Sequence, residues 1–247
     1  MDTKLSTKSL VALSATVLIS ACGGGSGSVG AGSGGGSGST SPTTLKTAPG
    51  AAAITSYLQT SHQSTLIATD TTGNSYVMQL SNTPKAGTTT FDGNSGASSS
   101  ADKVALSKNG VGVDSSSSET YYTLNPYRHL GDVYGAGTPY AVASNSTDIP
   151  TTVSVDDSGT VDDVTLYHDS SQTVVDADAT QTYSVSAHDA KTVLLCIKTD
   201  TTDVTAAGTA DGLSVGAESD CYTVDAAGNA TLNSVAKSVS GESLDFK

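Results

Sequence analysis

The sequence predicts an all-β protein, built as an antiparallel β-sandwich or a barrel-like sheet, and three observations carry that prediction. Ser and Thr dominate, with 38 Ser and 36 Thr among 247 residues and no Trp, and Thr, Val and Tyr suit a pleated, half-buried surface. Of the 24 acidic residues 21 are Asp, and Asp favours turns where Glu favours helices. Beyond residue 60, apolar residues recur with a period of two between Gly, Asn and Asp turns, which is the signature of strands.

The N-terminus is different. Lys4 and Lys8 form a short basic region, Leu10 to Ser20 is an apolar stretch, and Ile19-Ser20-Ala21-Cys22 follows. That order reads as a secretory signal peptide, too short to span a bilayer. With Ser20-Ala21-Cys22 at its end, the segment resembles the signal sequences of bacterial lipoproteins, whose lipobox closes on a small residue and a Cys; Ile19 stands where Leu is commoner. The resemblance covers only about the first 25 residues, with residues 1–21 as the signal peptide and Cys22 as the lipidated residue. It implies a diacylglyceryl thioether on Cys22, cleavage before it, acylation of the new amino terminus by a palmitate-like chain, and a protein anchored to the membrane without spanning it. Stable anchoring takes at least two lipid chains, which such a modification exceeds. Gly23, where Asp would hold such a protein at the inner membrane, implies the outer membrane, on its periplasmic side or at the cell surface.

Residues 22–50 read as a tether. Ten of the 16 residues from Gly23 to Gly38 are Gly and four are Ser, so little apolar surface is available to offset the entropy of ordering. A flexible chain of this length reaches roughly 30 Å. Gly25-Ser26-Gly27-Ser28-Val29-Gly30 spells a dinucleotide-binding motif but opens no helix, and reads as low-complexity coincidence.

A helical turn or two is expected over Ala51 to Thr60, where Ile54, Tyr57 and Leu58 share one face. Strands follow. Leu66–Asp70 and Ser75–Leu80 flank a turn in which Gly73 supplies a left-handed residue, and Asn109-Gly110 between Val104/Leu106 and Val111/Val113 is the strongest hairpin signal. Tyr183, Val185 and Ala187 alternate with polar residues. Val193 to Ile197 runs apolar and is expected to be covered on both faces. Leu232 opens a strand to Val239, Ser240-Gly241-Glu242 turns, and Leu244 with Phe246 form a final edge. The shared turn pattern Asp70-x-x-Gly73-Asn74 and Asp225-x-x-Gly228-Asn229, with a break near Ser144 to Pro150, suggests two similar subdomains, 51–144 and 150–247, as one reading beside a single domain.

Once Cys22 is lipidated, Cys196 and Cys221 remain as an even pair in an exported chain, and a disulfide across neighbouring strands is expected. The formal charge of −13 argues against nucleic acid as a partner.

Candidate chemistry is sparse. Gly212-Leu213-Ser214-Val215-Gly216 matches the nucleophile-elbow spelling, but the segment before it is not an apolar strand and no His follows it. Asp156, Asp157, Asp162 and Asp163, with Asp176 and Asp178 beyond, are weak calcium candidates, since Asp is also what turns recruit. Tyr121, Tyr122, Tyr127, Arg128 and His129 combine residue types that carry binding hot spots; the same rings would also serve to fill a seam. The expected function is therefore a non-catalytic, lipid-anchored binding or structural module of the bacterial envelope, without cofactor, partnered by the membrane and an envelope or extracellular protein. A calcium- or small-ligand-binding lipoprotein is the alternative, and a secreted hydrolase a more distant one.

Overall fold

A computed structural model of the chain describes residues 44–135, 137–239 and 242–247. The signal segment, Cys22, the tether up to residue 43, and Ser240 and Gly241 of the last expected turn lie outside the described residues.

Turn chemistry sets the strand register. Asp70 accepts backbone hydrogen bonds from Thr72 and Asn74 and a side-chain bond from Asn74. Asp225 repeats the arrangement with Ala227 and Asn229, so the shared five-residue pattern is one turn used twice. These bonds, the Asn74 side chain foremost, hold Asp70 well below the usual carboxylate range. Asn109 and Gly110 both adopt positive φ, 50° and 79°, as the tight turn between paired strands requires.

The elements between the turns are β1 (Thr47–Pro49), α1 (Gly50–Leu58), β2 (His62–Thr69), β3 (Ser75–Pro84), β4 (Thr89–Phe91), β5 (Asn94–Lys108), β6 (Val111–Leu124), β7 (Tyr127–Tyr134), β8 (Tyr140–Ser144) and β9 (Thr152–Ser154). They continue with β10 (Ser158–Tyr167), β11 (Val175–Ala187), β12 (Thr192–Thr202), α2 (Ala206–Ala210), β13 (Gly216–Asp225), β14 (Ala230–Val239) and β15 (Glu242–Phe246). Twelve strands pair antiparallel in the order β2-β3-β5-β6-β7-β8-β10-β11-β12-β13-β14-β15. Ile67 and Lys247 then exchange two backbone hydrogen bonds of 2.9 and 3.0 Å, which brings the last strand against the first and nearly closes the sheet into an up-and-down barrel. The break at Ser144 to Pro150 falls between β8 and β10, which pair within this sheet.

A ring of twelve strands encloses more space than inward side chains alone can fill. α1 enters from one end and buries Ala53, Ile54, Tyr57 and Leu58. Its sequence suits the role: three consecutive Ala favour the helix, and Gly50 lets it start where a Cβ would meet the Pro150 carbonyl at 2.6 Å. Tyr57 stacks on His62 at 4.2 Å and meets Tyr222 edge-on. Around them pack Leu66, Met78, Leu106, Leu195, Ile197, Val235 and Phe246. Leu213 plugs the opposite side against Val164, Leu166, Ala177 and Ala179.

The two ends are distinct. The β1–β9 pair, the bond from the Leu45 amide to Asp189 and the start of α1 all stand at one end, here termed the tether end. The turns after β2, β5, β7, β10, β12 and β14 stand at the other, the distal end.

Outside the barrel, Gln63, Thr65, Gln79, Lys103, Ser115, Ser117 and Ser186 are exposed, where a membrane-spanning barrel would carry an apolar band. No helix among the described residues is long and apolar enough to cross a membrane. Cys196 and Cys221 sit directly opposite on β12 and β13 and are joined by a disulfide, their Cα atoms 4.1 Å apart. Val193, Leu195 and Ile197 are fully buried, while Leu194 on the other face is half-buried.

β4 folds over the outside of β5, stacking Phe91 on Tyr121 and Tyr140 at 4.3 and 5.2 Å. The approach depends on Gly131, at φ 145°, where a Cβ would lie 2.1 Å from the Ala141 carbonyl and 2.8 Å from the Phe91 ring. Gly131→Ala is expected to lose about 2–3 kcal/mol of stability through strain and overpacking. Urea unfolding with both variants side by side measures it.

Candidate functional site

Polar side chains occupy the middle of the barrel. His129 on β7 places Nδ1 2.9 Å from Asp162 on β10 and Nε2 3.0 Å from Asp132 on β7. With a carboxylate at each ring nitrogen, both must carry hydrogen, so the imidazolium is the form that fits. Burial works against that charge, and Asp132 and Asp162 outweigh it, raising the His129 pKa to about 10. The Thr120 hydroxyl donates to Asp132 at 2.7 Å, and the Asn82 amide donates to Asp102 at 2.8 Å. Farther along, Lys237 and Glu218 pair at 2.6 Å. The His129 side chain is 4% exposed and that of Asp162 is 0%. A ligand cannot reach this group, and its role is to hold strands β6, β7 and β10 together.

The residues expected to form one partner-binding patch are divided by strand alternation. Tyr122, Tyr127 and His129 point into the barrel and are 1%, 3% and 3% exposed, so they face the core and not a partner. Tyr121 packs on the outside beneath Phe91, where burial, then the Glu119 charge, pushes its hydroxyl up to about 12. Arg128 is half-exposed and pairs with Asp148 at 2.8 Å.

The Asp residues weighed for calcium do not converge. Asp156 sits in a turn at φ 75°, Asp157 accepts the Ser154 amide, and Asp162 is taken by His129. Asp163 faces outward with Thr180 and Asn145, and Asp178 bonds Thr165. Ser214 follows α2 and precedes β13, the reverse of the strand-to-helix elbow that exposes a nucleophile.

The distal end brings together what the sequence separates. His168 after β10, Asp176 in β11 and Asp211 at the end of α2 each place a ligand atom within 4.8 Å of the others. His168 Nδ1 lies 2.6 Å from Asp211 Oδ2, and that bond, with the Asp211 charge, raises the His168 pKa. Burial, then Asp211, raises that of Asp176. A cavity of about 740 Å³ runs from Ser64, Leu80, Val104 and Ser116 to Gly135, Thr138, Pro139 and Asp211 at this end. A second, of about 590 Å³, lies at the tether end beside α1 and Pro126. The large exposed hydrophobics among the described residues are Ile67, Val111, Val174, Val175 and Val215. Four of these five flank distal turns.

No family model, curated protein or solved structure matches the chain.

Proposed function

We propose that the chain is a non-catalytic binding module of the bacterial envelope, anchored through lipid on Cys22 and presenting its distal end to a partner. The observation that carries this reading is the polarity of the barrel. The chain enters at the tether end, the exposed valines stand at the opposite one, and the larger cavity reaches from the middle of the barrel to that distal end. An acidic globule is repelled by anionic lipid head groups, which suits a body held off the bilayer by a tether. The cavity also favours a small-ligand reading, since its volume falls within the roughly 300–1,000 Å³ of such sites.

Two experiments test the proposal. Cell fractionation is expected to place the wild-type chain with the membranes and Cys22→Ala in the soluble fraction with an unchanged melting temperature; the same distribution for both would remove the anchor. A photo-crosslinking residue at Val215 is expected to yield an adduct heavier than the chain in living cells, and one at Ala190, in the β11–β12 turn at the tether end, is not. Absence of an adduct from Val215 would remove the distal binding face.

A further inference from the structure

We propose that His168, Asp176 and Asp211 bind one divalent transition-metal ion of the zinc class at the distal end, fastening the α2 loop to the barrel. The three side chains come from separate segments, and one ligand atom from each already lies within 4.8 Å of the others. Asp176 supplies the second, independent observation. Its residue is 0% exposed, and neither carboxylate oxygen accepts a hydrogen bond from a donor of the chain, its polar neighbour being the Asp211 carboxylate. A buried carboxylate is ordinarily hydrogen-bonded, paired with a charge or bound to a metal. The carboxylate here faces an imidazole and a second carboxylate, which is a ligand set.

The chemistry of the donors selects the ion. Calcium and magnesium take oxygen ligands in number, whereas one imidazole nitrogen with two carboxylates suits zinc and its neighbours. Zinc bound by one His and two carboxylates at roughly 2.0–2.2 Å keeps a coordination position open. The 2.6 Å contact between His168 and Asp211 is shorter than the roughly 3.3 Å edge of a tetrahedron with those bond lengths. Binding therefore parts that pair while drawing Asp176 in. The side chains of His168 and Asp211 are 47% and 36% exposed, which gives the ion a route from solvent.

The loop is built to hold this geometry. The Thr205 amide donates to the Asp176 carbonyl at 2.8 Å and the Thr205 hydroxyl to the Val175 carbonyl at 2.9 Å. Gly208 lies so close that a Cβ would come within 2.2 Å of the same Asp176 carbonyl. α2 thus rests on the backbone of Asp176 and carries Asp211 at its C-terminal end, beside the Asp176 side chain.

Calorimetric titration of zinc into the untagged, chelator-treated mature protein at neutral pH tests the site. The expected result is one saturable equivalent, a melting temperature raised by zinc and unmoved by the same concentration of calcium, and binding weakened at least tenfold in both Asp176→Asn and Asp211→Asn. Asp211 is exposed, so its variant reports on binding even where Asp176→Asn is less stable. No saturable zinc, or an affinity that both substitutions leave unchanged, overturns the proposal.

Discussion

His129→Gln is expected to destabilise the protein by about 3–5 kcal/mol, the loss that follows when one partner of a buried charge group is removed and the others stay behind. Asp132 and Asp162 would face a neutral amide inside the barrel, whose single NH2 group cannot supply the positive charge that His129 places between them, and Thr120 would still donate to Asp132. The same group makes stability depend on pH. The pKa of His129 is raised to about 10 in the folded chain, against roughly 6.5 when unfolded. Its contribution is therefore complete below about pH 6.5, declines as pH rises, and is lost once pH passes through the folded value. Urea unfolding between pH 6 and 9.5 is expected to show stability falling in the wild type and a shallower dependence in His129→Gln. Equal slopes, or a substitution costing under about 1 kcal/mol, would mean that the buried imidazolium is not a structural charge.

Removing the disulfide has the second large effect. Cys196 and Cys221 close a loop with a sequence separation of 25, worth about 3.5 kcal/mol through restriction of the unfolded chain. Cys196→Ala with Cys221→Ala is expected to lower the urea midpoint accordingly while leaving the spectrum of the folded barrel intact, because β12 and β13 keep their other pairs along the full ladder. An unchanged midpoint would show that the unfolded chain gains nothing from the link. The two losses are expected to be additive within about 0.5 kcal/mol, since the pairs share no partner.

Much of the fold was legible in the sequence because turns announce themselves locally. Asn109-Gly110 and the two Asp-x-x-Gly-Asn turns mark hairpin ends with the residues their backbone demands. The spacing of Ile54, Tyr57 and Leu58 gave the helix its buried face, and the alternation around Tyr183 and Val185 gave β11 its inward side. Closure of the barrel had no local mark, since Ile67 and Lys247 are remote in the chain. The polar middle of the barrel defeats pattern reading for a physical reason. Asp102, Thr120, His129, Asp132 and Asp162 occupy inward positions, where alternation alone assigns polar residues to solvent. The same inversion divided Tyr121 and Arg128 from Tyr122, Tyr127 and His129. The distal cluster was visible only through Asp176, picked out together with Asp178. Its true companions, His168 and Asp211, come from a turn and a loop whose approach depends on Gly208 and Thr205.

The proposed function rests on the anchor at Cys22, because only a chain held at one end would turn its distal valines and cavity mouth outward. Mass spectrometry of the intact, membrane-extracted protein, before and after reduction, tests this most directly. The expected product is a chain beginning at Cys22, carrying acyl chains, and gaining two hydrogens on reduction. An unacylated chain retaining residues 1–21 would contradict it.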